Sequence, residues 1–423
     1  MSVAENCDDV TVSNTQATPG GSTGPRDRST GQAVSIRDEE LIELSVVMPC
    51  LNEAETLGTC IRKALSCMKR SGIRGEVVIA DNGSTDGSIE IAQAEGARVI
   101  HAEIKGYGAA LSAGFEAARG KYLIMADADD SYDFSNLMPF IEKLREGSDL
   151  VMGSRFKGGI APKAMPWHHR YIGNPVLTGL LNFLHGTGVD DAHCGLRGFT
   201  KEAVTRLNLR STGMEFASEM VLKAEAKGLH IAEVPTTLSP DGRSRPPHLR
   251  SFRDGWRHLR FMLMLSPKWV LMYPGALLVA VGSIIMAVLG FGPFRLGSVI
   301  FDQHTLIAGA MFVIVGYQAV TVGVAARIFA VQQEIGPPSK PLQWGFKILN
   351  LERGLVAGAL VLVVGLALVV GMVVYWASKE FGLLDLESTI RPMLVGATLI
   401  ALGSQTILMS FFCSMLSIPV RKP

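Results

Sequence analysis

Residues 121–133 read KYLIMADADDSYD. The run is apolar up to Ala126 and then carries two aspartates one residue apart, Asp127 and Asp129. A short, nearly uninterrupted apolar stretch bounded by polar residues is the pattern of a strand buried on both faces. Carboxylates at its carboxyl end lie where open parallel sheets bind their ligands. So placed, two carboxylates hold a hard divalent cation and leave positions open for pyrophosphate oxygens. An EF-hand loop is excluded, because its sixth position is Tyr132 rather than glycine and its twelfth is Met138 rather than glutamate.

The same grammar extends in both directions. Strand patterns occur at 44–49, 76–81, 97–102 and 149–155, and amphipathic helical patterns at 53–70, 86–95, 108–118 and 134–146. Strands alternating with helices predict an α/β domain with a mostly parallel, Rossmann-like sheet covered on both faces. Several strands end in polar residues: Asn52 and Glu53, Asp81 and Asn82, Asp127 and Asp129, and Arg155. KGYGAAL (105–111) begins like a dinucleotide fingerprint, but Leu111 replaces the third glycine and the motif follows the third strand. A glycine loop opening a helix beside Lys105 still suits a phosphate. Asp86 or Ser84 is expected to cap the helix after 81. Arg155, Arg170, Arg197, Arg243 and Arg245 supply groups suited to bidentate phosphate contacts. His168 and His169, adjacent in sequence, are read as loop residues.

Beyond residue 268 the composition changes. Apolar stretches cover 270–292, 305–330, 354–378 and 392–418, and their only charged residue is Arg327. Each reaches the roughly 20 residues that cross a bilayer as a helix. Seven Lys and Arg lie in 243–268, one in 293–304, four in 327–353, and two beside three acids in 379–391. The positive-inside rule then places the α/β domain and both termini in the cytoplasm. Residues 248–268 read as a basic amphipathic helix on an anionic membrane surface. Residues 1–40 carry seven acids, three bases and no aliphatic run, and are expected to be a disordered tail without a signal peptide. The domain plan is therefore tail 1–40, α/β domain 41–240, juxtamembrane segment 241–268 and all-α four-helix transmembrane domain 269–423.

These unlike parts explain the averages. Among 423 residues, 48% are hydrophobic and 19% charged, and 40 Lys and Arg offset 39 Asp and Glu. A net charge of +1 argues against a general nucleic-acid binder. Six cysteines without a CxxC pair argue against a disulfide scaffold or structural zinc and fit a reduced setting.

The order and spacing of Pro49-x-x-Asn52-Glu53, DNGSTDG (81–87), DAD (127–129), GSR (153–155), DAHCGLR (191–197) and EVP (233–235) resemble family 2 glycosyltransferases of GT-A fold. More narrowly, the chain resembles the polyprenyl-phosphate group, the dolichol-phosphate mannose and glucose synthases. The resemblance implies a nucleotide-sugar site of Pro49, Leu51, Asn52, Glu53, Asp81, Lys105, Asp127, Ala128 and Asp129. It implies Mg²⁺ or Mn²⁺ on Asp127 and Asp129, the latter the principal ligand. Acceptor or donor phosphates would meet Arg155, Arg170, Arg243, Ser244 and Arg245, with Asp129 and Arg155 catalytic. Asp191 and Arg197 would be further site residues, and Glu219 would lie on a helix facing the site. Two departures stand out: Asp130 and Ser131 replace the Leu-Gln expected after DAD, and SPDGRSR (239–245) replaces R-x-x-G-x-S-K.

The activity implied is transfer of a hexose from a UDP- or GDP-linked sugar to a polyprenyl or dolichyl phosphate, with inversion. The acceptor phosphate is largely dianionic at neutral pH, so no strong general base is needed. Three alternatives stay open. One is a glycosyltransferase acting on a saccharide hydroxyl, with Asp191 as base. The others are a transporter with a regulatory nucleotide-binding domain and a non-catalytic membrane scaffold. Spans rich in glycine and alanine also suit packing between subunits of a homo-oligomer.

Overall fold

The computed structural model describes residues 42–244, 251–333 and 351–418. The expected disordered tail (1–40) and Arg245 lie outside them, as do 248–250 of the basic helix.

The first half alternates strands and helices: β1 (Leu44–Cys50), α1 (Leu57–Arg70), β2 (Gly75–Asp81), α2 (Ser88–Ala94), β3 (Arg98–His101), α3 (Tyr107–Ala117), β4 (Tyr122–Met125), α4 (Met138–Arg145), β5 (Leu150–Ser154) and the one-turn α5 (Arg155–Gly158). Then come α6 (Asn174–His185), β6 (Arg197–Thr200), α7 (Lys201–Leu207), α8 (Phe216–Ala226) and β7 (Ile231–Pro235). The sheet order is β3-β2-β1-β4-β6-β5-β7, with β6 the antiparallel member. Alternation along β1 splits the core: Leu44, Val46 and Met48 join the layer that includes Leu57, Ile61 and Phe140, while Val47 joins that of Leu111, Phe115 and Met220. Helices thus cover both faces, as the near-continuous apolar strands predict.

The register aligns the strand ends. Cys50 is opposite Asp81, Asp81 opposite His101, Val47 opposite Met125, and Ser154 opposite Pro235. The chain leaves β1 toward β2 on one side, and β4 lies on the other. The switch point of the sheet therefore falls between β1 and β4, where Asn52–Glu53 and Asp127–Asp129 emerge.

Several expectations are corrected. The helix expected over 53–70 starts at Leu57, and that over 134–146 starts at Met138. β6 and β7 complete the sheet beyond the five strands read from pattern; β6 is four residues long and begins with an arginine. His168 and His169 do not lie in a plain loop, since a π-helical turn, His169–Gly173, runs directly into α6.

α9 (Ser251–Met264) buries Asp254, His258 and Met262 against the α/β domain. Four helical segments follow that are long and apolar enough to cross a membrane: Lys268–Leu289, Gln303–Gln332, Leu351–Ser378 and Ser388–Leu416. Their helices are α10 (Tyr273–Leu289), α11 (Gln303–Gln332), α12 (Leu351–Ser378) and α13 (Leu386–Leu416). The loop expected over 293–304 holds a small hairpin, β8 (Phe294–Leu296) with β9 (Val299–Phe301). The helices pair through glycines. A Cβ on Gly282 would sit 2.5 Å from the Gly309 carbonyl oxygen, and one on Gly403 2.8 Å from that of Gly358. Lacking a hydrophobic drive between helices in lipid, such bundles rely on close backbone approach. Tyr317 and Thr406 join α11 to α13 by a hydroxyl pair at 2.6 Å.

Candidate active site

Two loops at the carboxyl edge are bound into one platform. Asn52 adopts a left-handed conformation (φ 59°), which its short amide tolerates. Its N–H donates to Ser84 Oγ at 2.9 Å, and its Oδ1 accepts the Thr85 N–H at 2.8 Å. Glu53 N–H donates to Ser88 Oγ, and Ala54 N–H to Asp86 Oδ2. The helix cap expected at Asp86 or Ser84 is instead Gly87, without a side-chain cap bond; Asp86 accepts the Ser88 N–H and braces the two loops. Asp81 accepts the Gly83 and Ser84 N–H groups at 3.0 Å and lies 3.2 Å from His101 Nδ1. Burial pushes its carboxyl up, but hydrogen bonds from Ser84, Gly83 and His101 outweigh that and hold it below the usual range. Pro49 and Leu51 are partly open to solvent beside this platform.

The aspartate pair sits against the platform. The Ala128 carbonyl accepts the Thr56 hydroxyl at 2.7 Å, tying the turn to the start of α1. Asp127 is half-buried and hydrogen-bonded to Tyr107; burial, then the charge of Asp129, pushes its carboxyl up to about 6. Gly195 lies so close that a Cβ there would be 2.8 Å from Asp127 Oδ2. Asp129 accepts from the Ser131 N–H and hydroxyl through Oδ1, while Oδ2 binds Arg243 at 2.5 Å. Arg243 also pairs with Glu53 at 3.0 Å. A guanidinium thus bridges the carboxylates at the switch point, a stand-in cation where hard oxygen donors and mutual repulsion favour positive charge. Arg243 spans Glu53 and Asp129 rather than Asp127, and among the described residues no group of three or more His, Cys, Asp or Glu is placed to hold a metal ion, so the expected ion would draw on the Asp127–Asp129 pair with no third protein carboxylate. Asp130, at φ 61°, turns away to Lys63 at 2.6 Å. Ser131 is spent on Asp129 itself.

The arginines divide by burial. Arg155 is clamped to Asp191: Nε and Nη2 each donate at 2.7 Å, and its backbone N–H adds a third bond at 3.0 Å. Both side chains are buried. Arg155 is therefore an internal ion pair before it is a phosphate ligand, and Asp191 is not a free base. Arg197, expected at the site, is fully buried and donates to the carbonyls of Ala192, Cys194 and Ala217, which sets the shape of the 191–197 loop. Glu219 does not face the site either. It pairs with Lys223 at 2.7 Å and accepts from the Arg210 and Ser211 N–H groups. That fixes the 210–212 turn, whose Thr212 carbonyl accepts the Gly108 N–H at the start of α3. Lys105 donates to the Asn82 carbonyl at 2.5 Å, beside the platform. Ser244 binds Glu55, and the Gly242 N–H donates to the Asp129 carbonyl, so the 241–244 strap lies across the site. Arg170 is half-buried and stacks on Tyr171, without a carboxylate partner among the described residues.

Sequence reasoning missed Tyr107, Tyr132 and Thr56. Tyr132 Oη accepts the Gly195 N–H at 2.8 Å, joining the DAD turn to the 191–197 loop. It lies within the DADDSYD run, but nothing in its spacing shows what it touches. His193 in that loop meets His258 of α9 ring to ring at 4.8 Å. Burial drives its pKa well down, so a neutral ring ties the site to the membrane-proximal helix.

A carboxylate pair at the switch point of such a sheet, with four helices among the described residues long and apolar enough to cross a membrane, is the arrangement expected of a membrane glycosyltransferase of GT-A fold. Comparison with known proteins agrees. Residues 45–207 match the model "Glycosyl transferase family 2", and residues 324–417 match "Glycosyltransferase family 2 C-terminal transmembrane region". A Haloferax volcanii relative, "Low-salt glycan biosynthesis hexosyltransferase Agl6", is 39% identical over 87% of this chain and 87% of its own length. A second, "Dolichyl-phosphate hexose transferase" of the same organism, is 34% identical over 46% of this chain and 81% of its own. Among solved structures, glucosyl-3-phosphoglycerate synthase of Mycobacterium tuberculosis is 22% identical, with a TM-score of 0.42 over 52% of this chain and 77% of its own. The chain belongs to glycosyltransferase family 2 and is a membrane glycosyltransferase.

Proposed function

We propose that the protein transfers a hexose from a UDP- or GDP-linked sugar to the phosphate of a polyprenyl or dolichyl lipid, inverting the anomeric carbon. The lipid-linked sugar would then serve glycan assembly. The α/β domain and both termini are assigned to the cytoplasmic side from the Lys and Arg asymmetry. The observation that carries the reading is the arginine-bridged carboxylate cluster of Glu53, Asp129 and Arg243, in a domain joined through α9 to the membrane helices. The printed names of the two relatives support a hexosyl transfer and, in one case, a dolichyl phosphate.

The platform of Leu51, Asn52, Glu53 and Asp81 would hold the nucleotide. Asp127 and Asp129 would hold Mg²⁺ or Mn²⁺, which when bound neutralises charge developing on the diphosphate leaving group. Arg243, already between two carboxylates, is positioned to exchange onto a phosphate oxygen. Arg170 and Arg245 would draw the acceptor phosphate in, offsetting its repulsion from the donor. A dianionic phosphate attacks without a general base. That agrees with an Asp191 whose carboxylate already receives three hydrogen bonds from Arg155. The saccharide-hydroxyl alternative loses its candidate base to the same clamp.

The test uses full-length protein in nanodiscs, labelled UDP- and GDP-hexoses, and dolichyl phosphate, with and without chelator. Label should enter a lipid-extractable, chelator-sensitive product, and Asp129→Ala should abolish it while the protein stays folded in the disc. Transfer to a saccharide in place of the lipid, or a near-normal rate in Asp129→Ala, overturns the assignment.

A further inference from the structure

Two features have no part in the chemistry described so far: the glycine-flanked Tyr107 of KGYG (105–108) and the buried Glu219–Lys223 pair. Space joins them. Tyr107 opens α3, and its hydroxyl donates to the Asp127 carboxylate. Burial, then the charge of Asp127, pushes the phenol's pKa well up, so the hydroxyl stays protonated as a donor. The ring is half-buried and packs on the core layer that includes Leu111 and Phe216. A carboxylate that is to bind an ion is oriented by the hydrogen bonds its outer neighbours supply. Tyr107 is such a neighbour, and the place of its hydroxyl depends on what holds the start of α3.

The 210–212 turn holds it. Gly106 stands at φ 134°, and a Cβ on it would collide with the Thr212 carbonyl oxygen. A Cβ on Gly108 would collide with the Ser211 carbonyl oxygen and the Phe216 side chain. Glycine on either side of Tyr107 is therefore what permits the approach. The Gly108 and Ala109 N–H groups then donate to the Thr212 carbonyl at 2.9 and 3.3 Å. The turn in its place hangs on one carboxylate. Glu219 accepts the Arg210 N–H at 3.0 Å and the Ser211 N–H at 2.8 Å, and Lys223 neutralises it from 2.7 Å. Both side chains are buried, where a charge needs such partners. On the outer side the Arg210 guanidinium reaches Gln333 Oε1, at the end of α11, at 3.1 Å. An unbroken series of contacts thus runs from Glu219 through the 210–212 turn and the Gly106–Gly108 segment to the hydroxyl on Asp127.

We propose that Tyr107 is a positioning residue for Asp127, and that Glu219 acts on the site through it by holding the turn against which Tyr107 rests. Tyr107 of the KGYG segment then serves a carboxylate, and Glu219, which does not face the site, sets its geometry at second hand. The inference rests on reading the Asp127–Asp129 pair as the seat of the donor's ion.

The test titrates Mn²⁺ alone into full-length protein in nanodiscs and reads the bound ion by electron paramagnetic resonance. Tyr107→Phe should weaken Mn²⁺ binding by about tenfold, the common cost of losing an outer partner of a metal ligand. Glu219→Leu with Lys223→Met removes the acceptor of two N–H groups and leaves no buried charge behind, and should weaken binding comparably. Adding Tyr107→Phe to it should cost less than about twofold more, because contacts in one series are not additive. Glu219→Gln with Lys223→Met keeps an oxygen for the two N–H groups and should bind Mn²⁺ as the parent does. Losses that multiply in the triple variant overturn the proposal, as does a Glu219→Gln, Lys223→Met protein as impaired as its Glu219→Leu counterpart. Tyr107→Phe deletes a single oxygen and decides the positioning role even where the Glu219→Leu, Lys223→Met protein fails to fold. Parental Mn²⁺ affinity in Tyr107→Phe, with the ion lost in Asp129→Ala, overturns the positioning role alone. A parent protein that binds no Mn²⁺ overturns the reading of the aspartate pair together with it.

Discussion

Replacing Asp191 by alanine removes the acceptor of three hydrogen bonds and leaves the Arg155 guanidinium buried without its counter-charge. The Asp191 side chain is 0% exposed and that of Arg155 9%, so water offers little compensation. Breaking a buried ion pair from one side costs about 3–5 kcal/mol. For a domain of this size each kcal/mol lowers the melting temperature by about 2–4 °C, so a fall of about 6–20 °C is expected. Removing both charges, in Asp191→Leu with Arg155→Met, should restore most of it, since a matched apolar pair is close to neutral. The assay is built into the chain. Cys50, Cys60, Cys67 and Cys194 are buried in the α/β domain, so a thiol-reactive dye reports its unfolding once Cys7 and Cys413 are serine. An Asp191→Ala protein that melts within about 2 °C of the parent, well inside the range one kcal/mol covers, yet no longer transfers sugar, would refute the reasoning and return Asp191 to the role of base.

Asp127→Asn should raise the melting temperature by a few degrees at pH 7.5, while abolishing transfer. The folded-state pKa is raised to about 6, so the stability associated with a protonated Asp127 is full below pH 4 and lost as pH rises through 6. The asparagine's advantage should accordingly vanish near pH 4 in the same dye assay. Gly195→Ala would push a methyl to 2.8 Å from Asp127 Oδ2 and 3.2 Å from Tyr132 Oη. Titration with Mn²⁺ should show weakened binding, with donor KM raised more than stability is lost; unchanged Mn²⁺ affinity would count against the placement of the ion. Gly403→Leu would drive a side chain into Leu362 and Gly358 of α12. Detergent-solubilised protein should lose thermal stability by a few kcal/mol, as over-packed cores do, and retention of the parent melting point would argue that α12 and α13 do not meet there.

Much of the fold is legible along the chain because its periodicities are local. β1, β2, β4 and β5 are apolar runs, and the helices between them alternate with the 3.6-residue period. β6 escapes because its four residues start with Arg197, a residue type that patterning assigns to solvent. Its charge is accommodated inside by three carbonyls, two from its own loop, Ala192 and Cys194, and the third from Ala217, 20 residues on in α8. α6 escapes for a different reason. It mixes Asn174, Thr178 and Asn182 with apolar residues on both sides, and only the packing of Leu181 inward and Phe183 outward separates a buried face from an exposed one.

By itself the sequence determined the class of sheet, the position of the carboxylates at strand ends, the membrane spans and the family. All of these depend on residue type and spacing within a few turns of chain. Only the tertiary structure decided which partner each charged group takes. Arg155 and Arg243 look alike as strings, both lying after strands, yet one is locked onto Asp191 and the other spans Glu53 and Asp129. The difference is made by partners 36 residues away in the first case and 190 and 114 in the second. Electrostatic pairing depends on distance in space and on burial, and neither is encoded in the spacing of residues along the chain.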